Sequence, residues 1–284
     1  MTMNTTFSPP PHHEIAAQVA TALVEDIGVC DWTALLIPEL QRSIATIVVR
    51  EEAVICGLPW VEEVFRQVDP SVVLDWEVEE GDRVIAGQSL CCLRGSSRSL
   101  LTGERTALNF LQTLSAVATK TSTYVAAVKE SQALVLDTRK TIPGMRLAQK
   151  YAVRVGGGAN QRLALYDGIL IKENHIAAAG GITAALHAAR ELAPAGVGIQ
   201  IEVENLLELE EALAAGAVSV LLDNMSLADM AKAVSITAGR ALLEASGGVH
   251  LSSISQIAAT GVDRISVGGL TKDVQAIDLS MRIQ

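Results

Sequence analysis

The chain has 284 residues, a formal net charge of −10, 49% hydrophobic residues and only 3% aromatics. That length holds two domains or one barrel with an appendage, and its core must be packed mainly from Ala, Val, Ile and Leu, a composition suited to helix-covered parallel sheets. The acidic balance without a basic tail argues against nucleic acid as a partner. The lack of any run of 18 apolar residues argues against a membrane-spanning helix, and Cys30, Cys56, Cys91 and Cys92 lack the paired spacing of a zinc or disulfide framework. A polar, proline-rich leader with no apolar signal core completes the expectation of a cytoplasmic enzyme with reduced thiols, in which His12 and His13 are solvated rather than metal-binding.

In chain order, Ile15, Val19, Ala22 and Leu23 recur at helical spacing, and 45–50 and 53–57 read as strands. The stretch 60–68 reads as an amphipathic helix, and 72–95 as strands broken at Gly81-Asp82 and Gly87. This stretch is similar to the half-barrel of lipoyl and biotinyl carriers, but the acceptor lysine is missing, which leaves a structural β-module. From Ser99 to about Glu130 a long helix is predicted, with Leu108, Leu111, Leu114 and Val117 on one face. Strands follow at 133–138, 168–172, 198–204, 219–224, 240–246 and 263–269, separated by alanine-rich helical stretches. That alternation predicts parallel βαβ units.

Polar residues fall where these apolar strands end: Thr138-Arg139-Lys140, Lys172, Glu202 with Glu204, Asp223-Asn224, EASGG (244–248) and Gly268-Gly269. In a β/α barrel the C-terminal strand ends converge on one mouth, so an incomplete barrel is the first reading. An open doubly wound sheet is the second. The segment Asp137 to His175 carries seven Lys or Arg against three acids, while the whole chain is acidic. Such a local surplus predicts a pocket for a small polyanion.

Arg139, Lys140 and Lys172, each ending an apolar strand, suit carboxylate or phosphate binding, with Gln161-Arg162 following across a glycine run; Arg146, Lys150 and Arg154, at four-residue spacing, fit a solvated helix face as well as function. Gly156-Gly157-Gly158 fits either a phosphate cradle or a helix exit, whereas the small residues after the 246 and 268 strand ends fit phosphate better. Glu202 and Asp223 offer hard oxygens for Mg²⁺ carried in with a phosphorylated substrate, or else balance the cations; Glu204 could substitute for Glu202. His175 and His250 lie near strand ends without a nucleophile, so they read as hydrogen-bonding groups.

The blocks GERTALNFLQ (103–112), LDTRKTIPG (136–144), QKYAVRVGGGANQR (149–162), LYDGILIKENHI (165–176), IEVEN (201–205), LLDNM (221–225), EASGG (244–248) and SVGGLTKDVQAIDLSM (266–281) resemble, in order, the quinolinate phosphoribosyltransferase family. The resemblance implies an N-terminal α/β sandwich over 1–115, joined by the C-terminal segment 271–284, and an incomplete six- or seven-stranded β/α barrel over 116–270. It implies transfer of phosphoribosyl from phosphoribosyl pyrophosphate to quinolinate with decarboxylation, Mg²⁺ as cofactor, and a homodimer whose subunits share their sites. Carried over residue by residue, Lys140, Glu202 and Asp223 are the catalytic set, the two carboxylates serving the metal. Arg105, which would reach the neighbouring subunit's site, joins Thr138, Arg139, Gln161, Arg162, Lys172, Ser246, Gly247, Gly248, Gly268 and Gly269 as substrate-binding residues.

The chain departs from the family pattern in having Val155 before the glycines, Gln161 where histidine is common, and Thr271-Lys272-Asp273 after the SVG block. Glutamine donates a hydrogen bond to a carboxylate but cannot become cationic. The competing readings are a sister phosphoribosyltransferase acting on another aromatic acid, a Schiff-base aldolase using Lys140 or Lys172, and a phosphate-ligand sensor or carrier on the same barrel.

Overall fold

The structure is a computed structural model that describes residues 7–284. Helix α1 (His12–Ile27) buries Ile15, Val19 and Leu23 at four-residue spacing. Then come β1 (Arg42–Val49), β2 (Ala53–Val54), α2 (Leu58–Val68), β3 (Val73–Trp76), β4 (Arg83–Val84), β5 (Ser89–Ser96) and the long α3 (Ser97–Ala127). The chain continues with β6 (Leu134–Leu136), α4 (Arg146–Val155), β7 (Gly168–Ile171), α5 (Glu173–Ala179) and α6 (Ile182–Leu192). It ends with β8 (Gly198–Val203), α7 (Leu206–Ala214), β9 (Ser219–Asp223), α8 (Leu227–Thr237), β10 (Leu242–Ser246), α9 (Leu251–Ala259), β11 (Arg264–Ser266), α10 (Gly269–Lys272) and β12 (Leu279–Ile283).

Two compact units result: one contains the chain up to Ser122, Ile142–Gly157 and Asp273–Gln284, the other Thr123–Thr141 and Gly158–Lys272. The sequence placed a division at 115/116 and one return at 271; the structure divides inside α3 and adds α4 as a second return. The physical reason lies in α4 itself. Ala148, Tyr151, Ala152 and Val155 are buried, the Tyr151 ring sits 5.8 Å from that of Trp60, and a side chain at Gly156 would meet the Ala118 carbonyl at 2.4 Å.

The first unit is built on an antiparallel sheet in the order β12, β1, β5, β3. Cys91 and Cys92 face opposite sides of β5, one buried and one partly exposed, as the two-residue period of a strand requires. His12 is not in a loose leader: it starts α1, and its Nε2 lies 3.1 Å from Glu63 Oε2.

In the second unit six strands run parallel in the order β6, β11, β10, β9, β8, β7. From β7 to β11 each strand pairs with its sequence neighbour, and the first strand, β6, pairs with the last. A doubly wound sheet reverses direction at a switch point; this order has no reversal and fits a sheet curling toward closure. The gap lies between β6 and β7. It holds the start of the 158–167 segment, where Ala159 N donates to Val135 O at 2.9 Å and Asp137 N to Ala159 O at 3.3 Å, a one-residue stub of a further strand. The barrel is therefore incomplete.

Candidate functional site

Because side chains alternate along a strand, residues two apart share the inner face, and the last inward residue of each parallel strand reaches the same end of the sheet. Leu170 and Lys172 from β7, Glu202 from β8, Leu221 and Asp223 from β9, Glu244 and Ser246 from β10, and Ser266 from β11 thus line one cavity of about 480 Å³. Thr138, Arg139 and Lys140 after β6, Gln161 and Arg162 from the gap segment, and Asn224, Gly247 and Gly248 complete it. Four cations and the carboxylates of Glu202, Asp223 and Glu244 converge there.

The gap segment is held by its own acids. Asp137, fully buried, accepts from Asn160 Nδ2 at 2.7 Å and from Gln161 N at 2.9 Å. Asp167 accepts from Leu163 N and Ala164 N, both at 2.7 Å, closing the turn that carries Arg162. Arg162 donates to the Gly168 carbonyl at 2.9 Å, and its guanidinium pKa is lowered, first by burial and then by the charge of Arg139, with Asp167 opposing. Two guanidiniums held close enough to repel form a receptor for added negative charge. Lys172 Nζ donates to both Glu202 oxygens, at 3.0 and 3.2 Å, so Glu202 is tied to a cation of the pocket.

Lys140 is exposed, its backbone N–H donating to Thr138 Oγ1 at 3.1 Å and its aliphatic stem packing over Gly268. Gly247 has φ +94°, and a Cβ there would fall 2.1 Å from Asn224 Oδ1. Only glycine fits that turn. Asn224, itself at φ +51°, donates to Asp223 Oδ2 at 2.9 Å and so orients the carboxylate. No group of three His, Cys, Asp or Glu able to hold a metal occurs among the described residues. The hard oxygens of Glu202 and Asp223 at the strand ends form no closed cage, and Glu202 is tied to Lys172, a sparse set that fits an Mg²⁺ that keeps its waters and arrives with phosphate.

The description of the quinolinate phosphoribosyl transferase N-terminal domain matches residues 31–115, and that of the C-terminal domain matches residues 117–282. The chain belongs to the quinolinate phosphoribosyltransferase family. A probable carboxylating nicotinate-nucleotide pyrophosphorylase from Bacillus subtilis is 41% identical over 260 residues, covering 92% of this chain and 90% of the relative. The carboxylating nicotinate-nucleotide pyrophosphorylase of Mycobacterium leprae is 42% identical over 272 residues, covering 93% and 95%. The solved nicotinate-nucleotide pyrophosphorylase of Francisella tularensis superposes with a TM-score of 0.94 at 46% identity, covering 96% of this chain and 97% of that one.

Of the positions that the family resemblance singles out, the cavity gathers Thr138, Arg139, Lys140, Gln161, Arg162, Lys172, Glu202, Asp223, Ser246, Gly247 and Gly248. Gly268 is reached through Lys140, Gly269 opens α10, and Arg105 is exposed on α3 in the first unit. Glu204 is exposed and does not line this cavity; it borders a neighbouring acidic hollow that Glu202 also lines.

One expectation is corrected: Lys150 does not lie on a solvated face, being 1% exposed inside the first unit. Of the two readings of the glycine triplet the structure takes the helix exit, with Gly156 at the C-cap of α4 and Gly157 at φ +87°. His175 accepts from Lys172 N at 3.0 Å and His250 begins α9 paired with Ser253, so both serve helix starts. Gln200 was missed, and Asn224 was noted only as a polar residue at a strand end. Gln200 carried a signal, a polar residue two before Glu202 and hence on the same inner face.

Proposed function

We propose that the chain transfers phosphoribosyl from phosphoribosyl pyrophosphate to quinolinate and decarboxylates the adduct, yielding nicotinate mononucleotide, pyrophosphate and CO₂. The observation that carries this is the crowding of Arg139 and Arg162 in one cavity with Lys140 and Lys172. A pyridine dicarboxylate and a polyphosphate sharing one cleft demand such a surplus of cations.

In this reading Arg139 and Arg162 grip the two carboxylates and turn the ring nitrogen toward the anomeric carbon of the ribose. The C–O bond to pyrophosphate breaks with the pair leaving on oxygen, and the N–C bond forms from the ring lone pair. Lys140, exposed at the rim, meets the charge developing on the departing pyrophosphate. The small residues 246–248 and 268–269 receive phosphate through backbone N–H groups. Glu202 and Asp223 would hold Mg²⁺, whose chemistry is to neutralise pyrophosphate oxygens. The pyridinium nitrogen then accepts the electron pair of the C–C bond to the adjacent carboxylate, which leaves as CO₂, and the ring carbon takes a proton. The arginine holding the other carboxylate decides which one is lost.

The family resemblance extends the proposal to a homodimer in which Arg105 of each subunit serves the neighbour's site. Mixing inactive Arg105→Ala and inactive Lys140→Ala subunits should restore part of the activity; proven exchange without recovery would reject sharing. The reaction itself is tested with quinolinate, phosphoribosyl pyrophosphate and Mg²⁺, following CO₂ and nicotinate mononucleotide, with nicotinate as control. Turnover of nicotinate but not quinolinate would overturn the assignment. The aldolase reading is disfavoured by Lys172, whose amine is engaged with both oxygens of Glu202.

A further inference from the structure

The two carboxylates at the strand ends of β8 and β9 are held in different ways. Glu202 is met by the ammonium of Lys172, which donates to both of its oxygens. Asp223 is met by a neutral amide, Asn224 Nδ2 donating to its Oδ2 at 2.9 Å. An amide directs a carboxylate without cancelling its charge, so Asp223 presents that charge to the cavity it lines.

Backbone geometry explains why asparagine stands there. Asn224 has φ +51°, the left-handed region that asparagine and aspartate enter more readily than other side chains. Its N–H donates to the Ser246 carbonyl at 3.0 Å, which ties the end of β9 to the end of β10, where Asp223 and Ser246 are ladder partners. A carboxylate accepts, so the amide turns its NH₂ to Asp223 and its carbonyl to the neighbouring turn. There Asn224 Oδ1 fills the space of the missing side chain at Gly247, 2.1 Å from where a Cβ would lie. One side chain therefore touches both the acid of β9 and the small-residue turn after β10. Aspartate would accept this backbone but could not donate to Asp223.

We infer that Asn224 is a positioning residue that joins the Asp223 carboxylate to the 246–248 turn, so that the acid serving Mg²⁺ and the turn receiving phosphate act together on phosphoribosyl pyrophosphate. The inference rests on the quinolinate reading above and deepens it. In that reading the pyridine acid is gripped by Arg139 and Arg162, so Asn224 should govern one substrate and not the other.

The test is Asn224→Gly and Asn224→Asp, each with thermal unfolding as a check that the protein is folded. Glycine accepts φ +51° and removes only the amide, whereas aspartate keeps the shape and puts an acceptor where the donor stood. Calorimetry reads binding apart from turnover: phosphoribosyl pyrophosphate is titrated with and without Mg²⁺, phthalate standing in for the acid because it lacks the attacking nitrogen. Its affinity with Mg²⁺ should fall roughly tenfold, the size of one hydrogen bond to a charged group, while that of quinolinate changes less than about twofold. The gain in affinity that Mg²⁺ gives the unmodified chain should shrink. Steady-state kinetics should show the same split, a raised KM for phosphoribosyl pyrophosphate at nearly constant KM for quinolinate.

Stability reads the contact itself. Because Asn224 Oδ1 blocks a side chain at 247, Gly247→Ala should cost less in the Asn224→Gly background than alone. Additive stability losses, an unchanged affinity for phosphoribosyl pyrophosphate, or equal falls for both substrates in a folded variant would overturn the inference and leave the function intact. Failure of the unmodified chain to turn over quinolinate would remove both.

Discussion

The barrel mouth and the interior around Glu80 are both built from ionisable groups, and they treat charge in opposite ways. Glu80 accepts from the N–H groups of Gly57 and Leu58, both at 2.8 Å, closing the start of α2. Burial raises its carboxyl above the usual range despite those bonds; burial and the nearby Glu80 charge also push up the Cys56 thiol and the Tyr151 hydroxyl. The acid is thereby spent on helix α2 and on its neighbours. At the mouth, burial first and the charge of Arg139 second lower the pKa of the Arg162 guanidinium, with Asp167 opposing. Charge that the fold neutralises is structural; charge that it gathers against its own repulsion is waiting for a ligand.

The comparison breaks most visibly at Arg139. Arg139→Ala should raise the barrier for quinolinate turnover by about 3 kcal/mol, more than a hundredfold in kcat/KM, in a protein that thermal unfolding shows to be folded. Wild-type catalytic efficiency in that variant would reject the dianion receptor. Glu80→Ala should do the reverse: a loss of about 2 kcal/mol of stability from two unsatisfied N–H groups at the start of α2, with kcat per folded molecule retained. Equilibrium unfolding and titrated active-site content separate the two terms, and a catalytic loss without a stability loss would reverse the assignment of roles.

Gly247→Ala joins both regimes. Its positive φ and the Asn224 contact should cost about 1.5 kcal/mol of stability, and the displaced turn should raise KM for phosphoribosyl pyrophosphate more than KM for quinolinate. An unaltered KM for phosphoribosyl pyrophosphate would argue against phosphate binding at this turn.

The smallest effect concerns Glu63, which is nearly fully buried and hydrogen-bonded to Arg66 Nε and Nη2, both at 2.6 Å. Arg66, outweighing the opposing burial, lowers its pKa from 4.5 to about 2, with Gln67 and His12 adding to the effect. A depressed carboxylate stabilises the fold above its unfolded value near 4.5 and loses that contribution as pH falls through about 2. Glu80 has the opposite sign: its raised pKa favours folding below the ordinary carboxylate value and loses that contribution as pH rises through the raised one. Glu63→Gln should therefore flatten the acid limb of the stability curve while costing only about 1 kcal/mol at neutral pH, since Arg66 is mostly in solvent. An unchanged acid limb would place the acid sensitivity elsewhere.

The amino-acid sequence by itself determined the alternation of strands and helices, the clustering of Arg139, Lys140, Arg162 and Lys172, and the family. These follow from short-range periodicity and contiguous blocks, in which residues two or four apart already share a face. Tertiary structure alone decided that Lys150 is buried, that α4 and β12 return to the first unit, that the glycine triplet ends a helix, and that Gln161, Gln200 and Glu244 are joined by hydrogen bonds. Each depends on strand order and register: β8 and β10 are two strands apart in the sheet, and Gln161 and Gln200 are 39 residues apart in sequence. No local pattern encodes a distance across a closing sheet, and at this mouth that distance separates a surface cation from a ligand site.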